Sequence, residues 1–103
     1  MQQKRQAQPD EELGPRSRVV ASRDLVACEV ADEVVILSLR TGEYHGLNPV
    51  AASLWALIQE PTSVGELRDS LLQEFEGVAP ETCEREILGA LSRLRELGLI
   101  QVL

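Results

Sequence analysis

A chain of 103 residues and 11.4 kDa holds one domain with a modest core, so any site it carries is shallow or shared with a partner. Hydrophobic residues make up 44% without any run near the ~20 apolar residues of a membrane span, and the opening residues lack the apolar core of a signal peptide, which together predict a soluble, cytoplasmic protein without a membrane partner. The net charge of −7 gathers beyond residue 18, where 6 basic residues face 14 acidic ones, a balance that repels nucleic-acid phosphates.

Residues 1–18 are rich in Gln, Pro and charge and show no hydrophobic period, so they read as a disordered tail before one folded domain over residues 19–103. The stretches LVACEV (Leu25 to Val30) and EVVILSLR (residues 33–40) are β-branched and apolar, split by the polar pair Asp32 and Glu33, as in two strands joined by a tight turn. Thr41 and Gly42 mark the next turn, and EYHGL (residues 43–47) a third strand, completing a meander. A two-residue turn places Leu39 opposite Tyr44 and a three-residue turn with a bulge places it opposite Glu43, so the facing of the third strand stays open at this point.

Asn48 is a strong N-cap residue and Pro49 suits the first helical position, so a helix starts there, with Ala51, Leu54, Trp55 and Ile58 as its apolar stripe. Ser63 and Glu66 have the spacing of a capping box and open a second helix with Val64, Leu67, Leu71 and Phe75 facing inward, ended by Gly77. A third helix spans residues 80–97, with Cys83, Ile87, Ala90, Leu91 and Leu94 on one side and Gly98 just past its end, before a short extended close, LIQVL. The order predicts an α+β domain, a three-stranded antiparallel sheet followed by three helices.

Catalytic chemistry is not legible. His45 is the single histidine and has no nucleophile near it in sequence, Cys28 and Cys83 lack zinc spacing and read as two small buried residues, and there is no phosphate-cradling glycine loop. No cofactor, no metal and no enzymatic activity are expected. What remains is an edge: the third strand is short, holds Gly46 and has no Pro or Lys to blunt pairing, so another chain can add to it. Leu88, on the flank of the third helix with Glu84 and Arg95, reads as a wall beside that edge.

The segments LRTGEYHGLNPVAASLWALI, TSVGELRDSLLQEF and ILGALSRLRELGLI together resemble the PqqD-like family of peptide chaperones, the discrete RiPP recognition elements, over residues 19–103. The likeness is nearer to the stand-alone partner of lasso-peptide maturation than to the pyrroloquinoline quinone version, which usually has a Pro-Glu-Gly turn where Thr41 and Gly42 stand and a Gly-Trp-Leu close in place of Gly98, Leu99 and Ile100. It implies a winged-helix-like fold in which a precursor's leader peptide adds to the third strand and lies against the third helix. The contact role then falls on Glu43, Tyr44, His45, Gly46 and Leu47, and on Glu84, Ile87, Leu88, Leu91 and Arg95. It also implies a leader-removing cysteine protease and an ATP-dependent lasso cyclase as further partners. Two rivals are a winged-helix DNA-binding protein, disfavoured because residues 80–97 hold four acidic against three basic side chains, and a subunit that docks through Trp55 or the acidic surface.

Overall fold

The computed structural model describes residues 13–103. Three helices, α1 (Pro49–Leu57), α2 (Val64–Glu74) and α3 (Pro80–Glu96), pack with six short strands: β1 (Arg18–Ala21), β2 (Leu25–Val30), β3 (Glu33–Ser38), β4 (Tyr44–Leu47), β5 (Thr62–Ser63) and β6 (Ile100–Val102). The strands form two antiparallel sheets, ordered β2-β3-β4 and β5-β1-β6. The expected meander is the first of these, and the second is an addition. In it, β1 lies between β5 and β6, with Val19 opposite both Thr62 and Val102. Each of its strands is too short to show a period in sequence, and β1 comes from the boundary of the expected tail.

Residues 1–12 of that tail lie outside the described residues. Residues 13–18, also assigned to it, are tied down: Ser17 N–H donates to Gly14 O at 3.0 Å, Val64 N–H to Ser17 O at 3.0 Å and Gly65 N–H to Pro15 O at 3.2 Å. The first amides of α2 have no partner inside the helix, and this segment accepts them.

Cap chemistry sets the helix boundaries. Asn48 Oδ1 accepts from Ala51 N–H at 2.8 Å with Pro49 at the first helical position. Ser63 Oγ accepts from Glu66 N–H at 3.2 Å while Glu66 Oε1 accepts from Ser63 N–H at 3.0 Å, the reciprocal box that the spacing predicts. At the end of α3, Gly98 takes φ +77°, with Gly98 N–H bonded to Arg95 O and Leu99 N–H to Leu94 O, a Schellman close that turns the chain into β6 and buries Leu99.

The core joins Leu54 and Ile58 of the α1 region, Val64, Leu67 and Leu71 of α2, and Ile87, Leu91 and Leu94 of α3 to Val19 of β1 and Ile36 of β3. Trp55 is 7% exposed and belongs to it, so it offers no docking surface. Cys83 is buried as expected but Cys28 is exposed: β2 is an edge strand with little packed against it.

Candidate functional site

The third strand of the meander starts one residue later than the sequence suggests and its turn is longer. Ser38 N–H donates to Glu43 O at 2.9 Å and Gly42, at φ +78°, donates its N–H to Ser38 O at 2.7 Å, leaving residues 39–42 as a four-residue loop. Neither shorter turn occurs. Tyr44 lies opposite Leu37, His45 opposite Ile36, Gly46 opposite Val35 and Leu47 opposite Val34, while Leu39 is in the loop and exposed. Both Ser38 Oγ, which accepts from Thr41 N–H, and Thr41 Oγ1, which accepts from Glu43 N–H, stabilise the longer loop.

This register fixes the faces of β4. His45 and Leu47 share the helix side with Ile36 and Val34, and Tyr44, 68% exposed, points the other way. His45 is half-buried, with Nε2 3.7 Å from Glu43 Oε1. An antiparallel ladder alternates its bonded pairs, and since Ser38 and Glu43 are bonded, His45 and Leu47 turn their backbone groups toward β3. Tyr44 and Gly46 therefore direct theirs outward. Among the described residues β4 is paired with β3 alone.

Beside that free row runs a groove of about 280 Å³. Gly46, Leu47, Asn48 and Ala51 form one wall, and Ala90, Arg93, Leu94 and Leu97 of the α3 region the other. Leu97 is 44% exposed at its mouth, and among the described residues Arg93 is the single charged side chain lining it.

The α3 residues named from sequence take other places. Ile87 and Leu91 are fully buried in the core. Glu84 and Leu88 line a separate cleft of about 350 Å³ between α2 and α3, with Arg68 and Arg85. Arg95 belongs to the same flank by spacing. Each residue turns about 100° around a helix, so 84, 88 and 95 lie on one side of the buried stripe and 90, 93 and 97 on the other. It is the second flank that faces β4. Its sequence signal is an apolar Leu97 in the last turn, in line with Ala90 and Arg93 at spacings of seven and four.

No group of metal-ligating side chains occurs among the described residues, and no helix there is long and apolar enough to cross a membrane. Burial raises the Cys83 thiol pKa, which suits a core residue.

A family profile described as "Coenzyme PQQ synthesis protein D (PqqD)" matches residues 33–100, which span β3 to the start of β6. The chain belongs to the PqqD-like family of RiPP recognition elements. Among solved structures, TbiB1 in complex with the TbiA(beta) leader peptide is similar at 33% identity and a TM-score of 0.70, covering 79% of this chain and 93% of that one. A lasso peptide synthetase B1 complexed with the leader peptide is similar at 26% identity and a TM-score of 0.69, covering 80% and 95%. None of the curated proteins matches the chain.

Proposed function

We propose that this protein binds the leader segment of a ribosomally made precursor peptide, as an added strand on β4 with apolar side chains seated in the groove against α3. The unpaired outer row of Tyr44 and Gly46 beside that groove carries the reading, and both similar structures are complexes with leader peptides. The quinone-biosynthesis alternative shares the family profile, but one of the two solved relatives is a lasso peptide synthetase B1 complexed with the leader peptide. In this reading the β2–β3 hairpin is the wing of a winged-helix-like arrangement.

Tyr44 and Gly46 offer two N–H and two C=O groups. At ~0.5–1.5 kcal/mol for each net hydrogen bond, four such bonds do little more than offset the ordering of a free leader, which costs several kcal/mol. Specificity comes from the groove, where each buried aliphatic anchor adds ~1.5–3 kcal/mol. Its volume suits single side chains, and Arg93 at its lining favours a leader with a carboxylate nearby. The protein itself does no chemistry in this scheme. It holds the precursor near the leader protease and the cyclase in the cytoplasm, raising their local substrate concentration.

Fluorescence anisotropy with a labelled leader peptide of a lasso-peptide precursor tests the assignment. Leu97→Glu places a charge at the mouth of the groove and is expected to weaken binding at least about tenfold. Unchanged affinity in that variant, with the fold intact by circular dichroism, removes the groove from the site.

A further inference from the structure

The opposite edge of the same sheet is also open. Among the described residues β2 pairs with β3 alone, and five of its six residues are exposed, Val26 to 44% and Val30 to 57%. Natural edges are blunted by Pro, by a bulge or by charged side chains, Lys above all. LVACEV has no Pro and no Lys and a single charge, Glu29, and its unbroken register with β3, from Leu25 opposite Ser38 to Val30 opposite Glu33, contains no bulge. The sheet face turned away from the helices is apolar as well: Val26, Leu37 and Tyr44 form one cross-strand row, and Cys28, Val35 and Gly46 the next. A half-solvated antiparallel sheet ordinarily shows polar side chains there.

We propose that two copies of this chain pair antiparallel through β2, forming a continuous sheet of order β4-β3-β2-β2-β3-β4. Leu39 N–H donates to Asp24 O at 2.9 Å, so the alternation of the ladder turns Val26, Cys28 and Val30 toward β3 and leaves the backbone groups of Leu25, Ala27 and Glu29 facing out. Outward groups meet outward groups when Ala27 of one copy faces Glu29 of the other. That register sets Cys28 against Cys28 on the two-fold axis and Val26 against Val30, and it keeps the two Glu29 carboxylates apart.

Charge favours the same orientation. The hairpin tip carries Glu29, Asp32 and Glu33 without a basic residue, whereas the root carries Arg23 and Arg40 with Asp24. None of these six side chains is in an ion pair among the described residues. Antiparallel pairing lays each acidic tip beside the other copy's root, whereas parallel packing sets tip on tip. The charge of −7 on each copy opposes association in general, so added salt strengthens the dimer. Both β4 edges stay free at the outer ends, so pairing and leader binding are independent.

Sedimentation equilibrium of the full chain is expected to show the mass rising from 11.4 kDa to twice that over micromolar concentrations, and rising further in about 0.5 M salt. A short bismaleimide is expected to link two chains through Cys28, the exposed cysteine, and Cys28→Ser to abolish the link while Cys83 stays protected. Ala27→Pro removes an outward N–H and leaves the β3 ladder intact, so dimerisation weakens at least about tenfold, whereas Gly46→Pro on the other edge leaves it unchanged. A constant 11.4 kDa mass at high concentration and salt without a Cys28 cross-link overturns the proposal, as does a dimer that a folded Ala27→Pro variant does not weaken. If Ala27→Pro fails to fold, the cross-link in the unaltered chain decides.

Discussion

Arg68 on α2 donates from Nη1 to Glu84 Oε1 on α3 at 3.0 Å, and its Nε and Nη2 reach Asp69 Oδ1 at 3.3 and 3.2 Å. The bond to Glu84, and after it the one to Asp69, holds the guanidinium pKa above its usual range. Glu84 is thereby committed to the contact between helices and turned away from β4. With the two side chains 32% and 25% exposed, solvent screens the pair. Glu84→Gln is expected to lower Tm slightly and to change leader affinity less than about twofold. Parallel thermal melts and anisotropy titrations check both halves, and a tenfold loss of affinity at constant Tm would return Glu84 to the binding site.

Gly46 gives the sharper test of strand addition. Its N–H points away from β3, a side chain built on it meets nothing within 4 Å, and the preceding His45 is already extended as a residue before proline prefers. Gly46→Pro therefore keeps the ladder and the fold while removing one donor from the free row. Leader binding is expected to fall about tenfold or more, read by anisotropy, because a bound strand is left with an unsatisfied carbonyl as well as a clash with the proline ring. Normal affinity in a folded variant places the leader elsewhere.

The parts of the fold legible in sequence are those that local chemistry dictates. Asn48-Pro49, the Ser63/Glu66 box and Gly98 each announce a helix boundary through one side chain or one φ, and the structure has all three. The β2 and β3 runs were equally plain. β1 and β5 were hidden because four and two residues carry no period, and their pairing depends on contacts far apart in the chain. The facing of β4 turned on whether residues 39–42 form a turn of two, three or four residues, a choice made by the Ser38 and Thr41 hydroxyls that composition does not reveal. Around the groove the structure brings β4 and α3 together, but with the Leu97 flank of α3 and not the Leu88 flank: both are apolar residues beside the core stripe, and only packing against α2 or β4 distinguishes them.

The turn between β2 and β3 holds Ala31 at φ +53° and Asp32 at φ +68°. Two left-handed residues suit the twist of a two-residue hairpin, but Asn or Gly normally occupies the first, and an alanine there bears a cost of ~1 kcal/mol from its Cβ. Ala31→Asn is expected to stabilise the protein by roughly 0.5–1 kcal/mol, seen as a higher urea midpoint at unchanged slope, with leader binding unaffected. A lower midpoint would mean that the Ala31 methyl makes a contact worth more than the backbone strain.

Glu66 links the capping box to pH. Its carboxylate accepts from Ser63 N–H and from the Thr62 hydroxyl, each at 3.0 Å, and these bonds, the backbone one foremost, hold its pKa below the usual 4.5. A carboxyl group whose pKa is lower folded than unfolded stabilises the fold at pH values above the unfolded pKa, and that stabilisation fades as pH falls through the folded one. Gln at this position keeps the box geometry but carries no charge. The unaltered protein is therefore expected to melt higher than Glu66→Gln at pH 7, with the gap closing as pH falls below the unfolded value and through the lowered folded one. Thermal melts of both proteins across that range read the gap directly. A difference that stays constant however far the pH is lowered would show that Gln fails to reproduce the hydrogen bonds themselves, and that charge is not what the box requires.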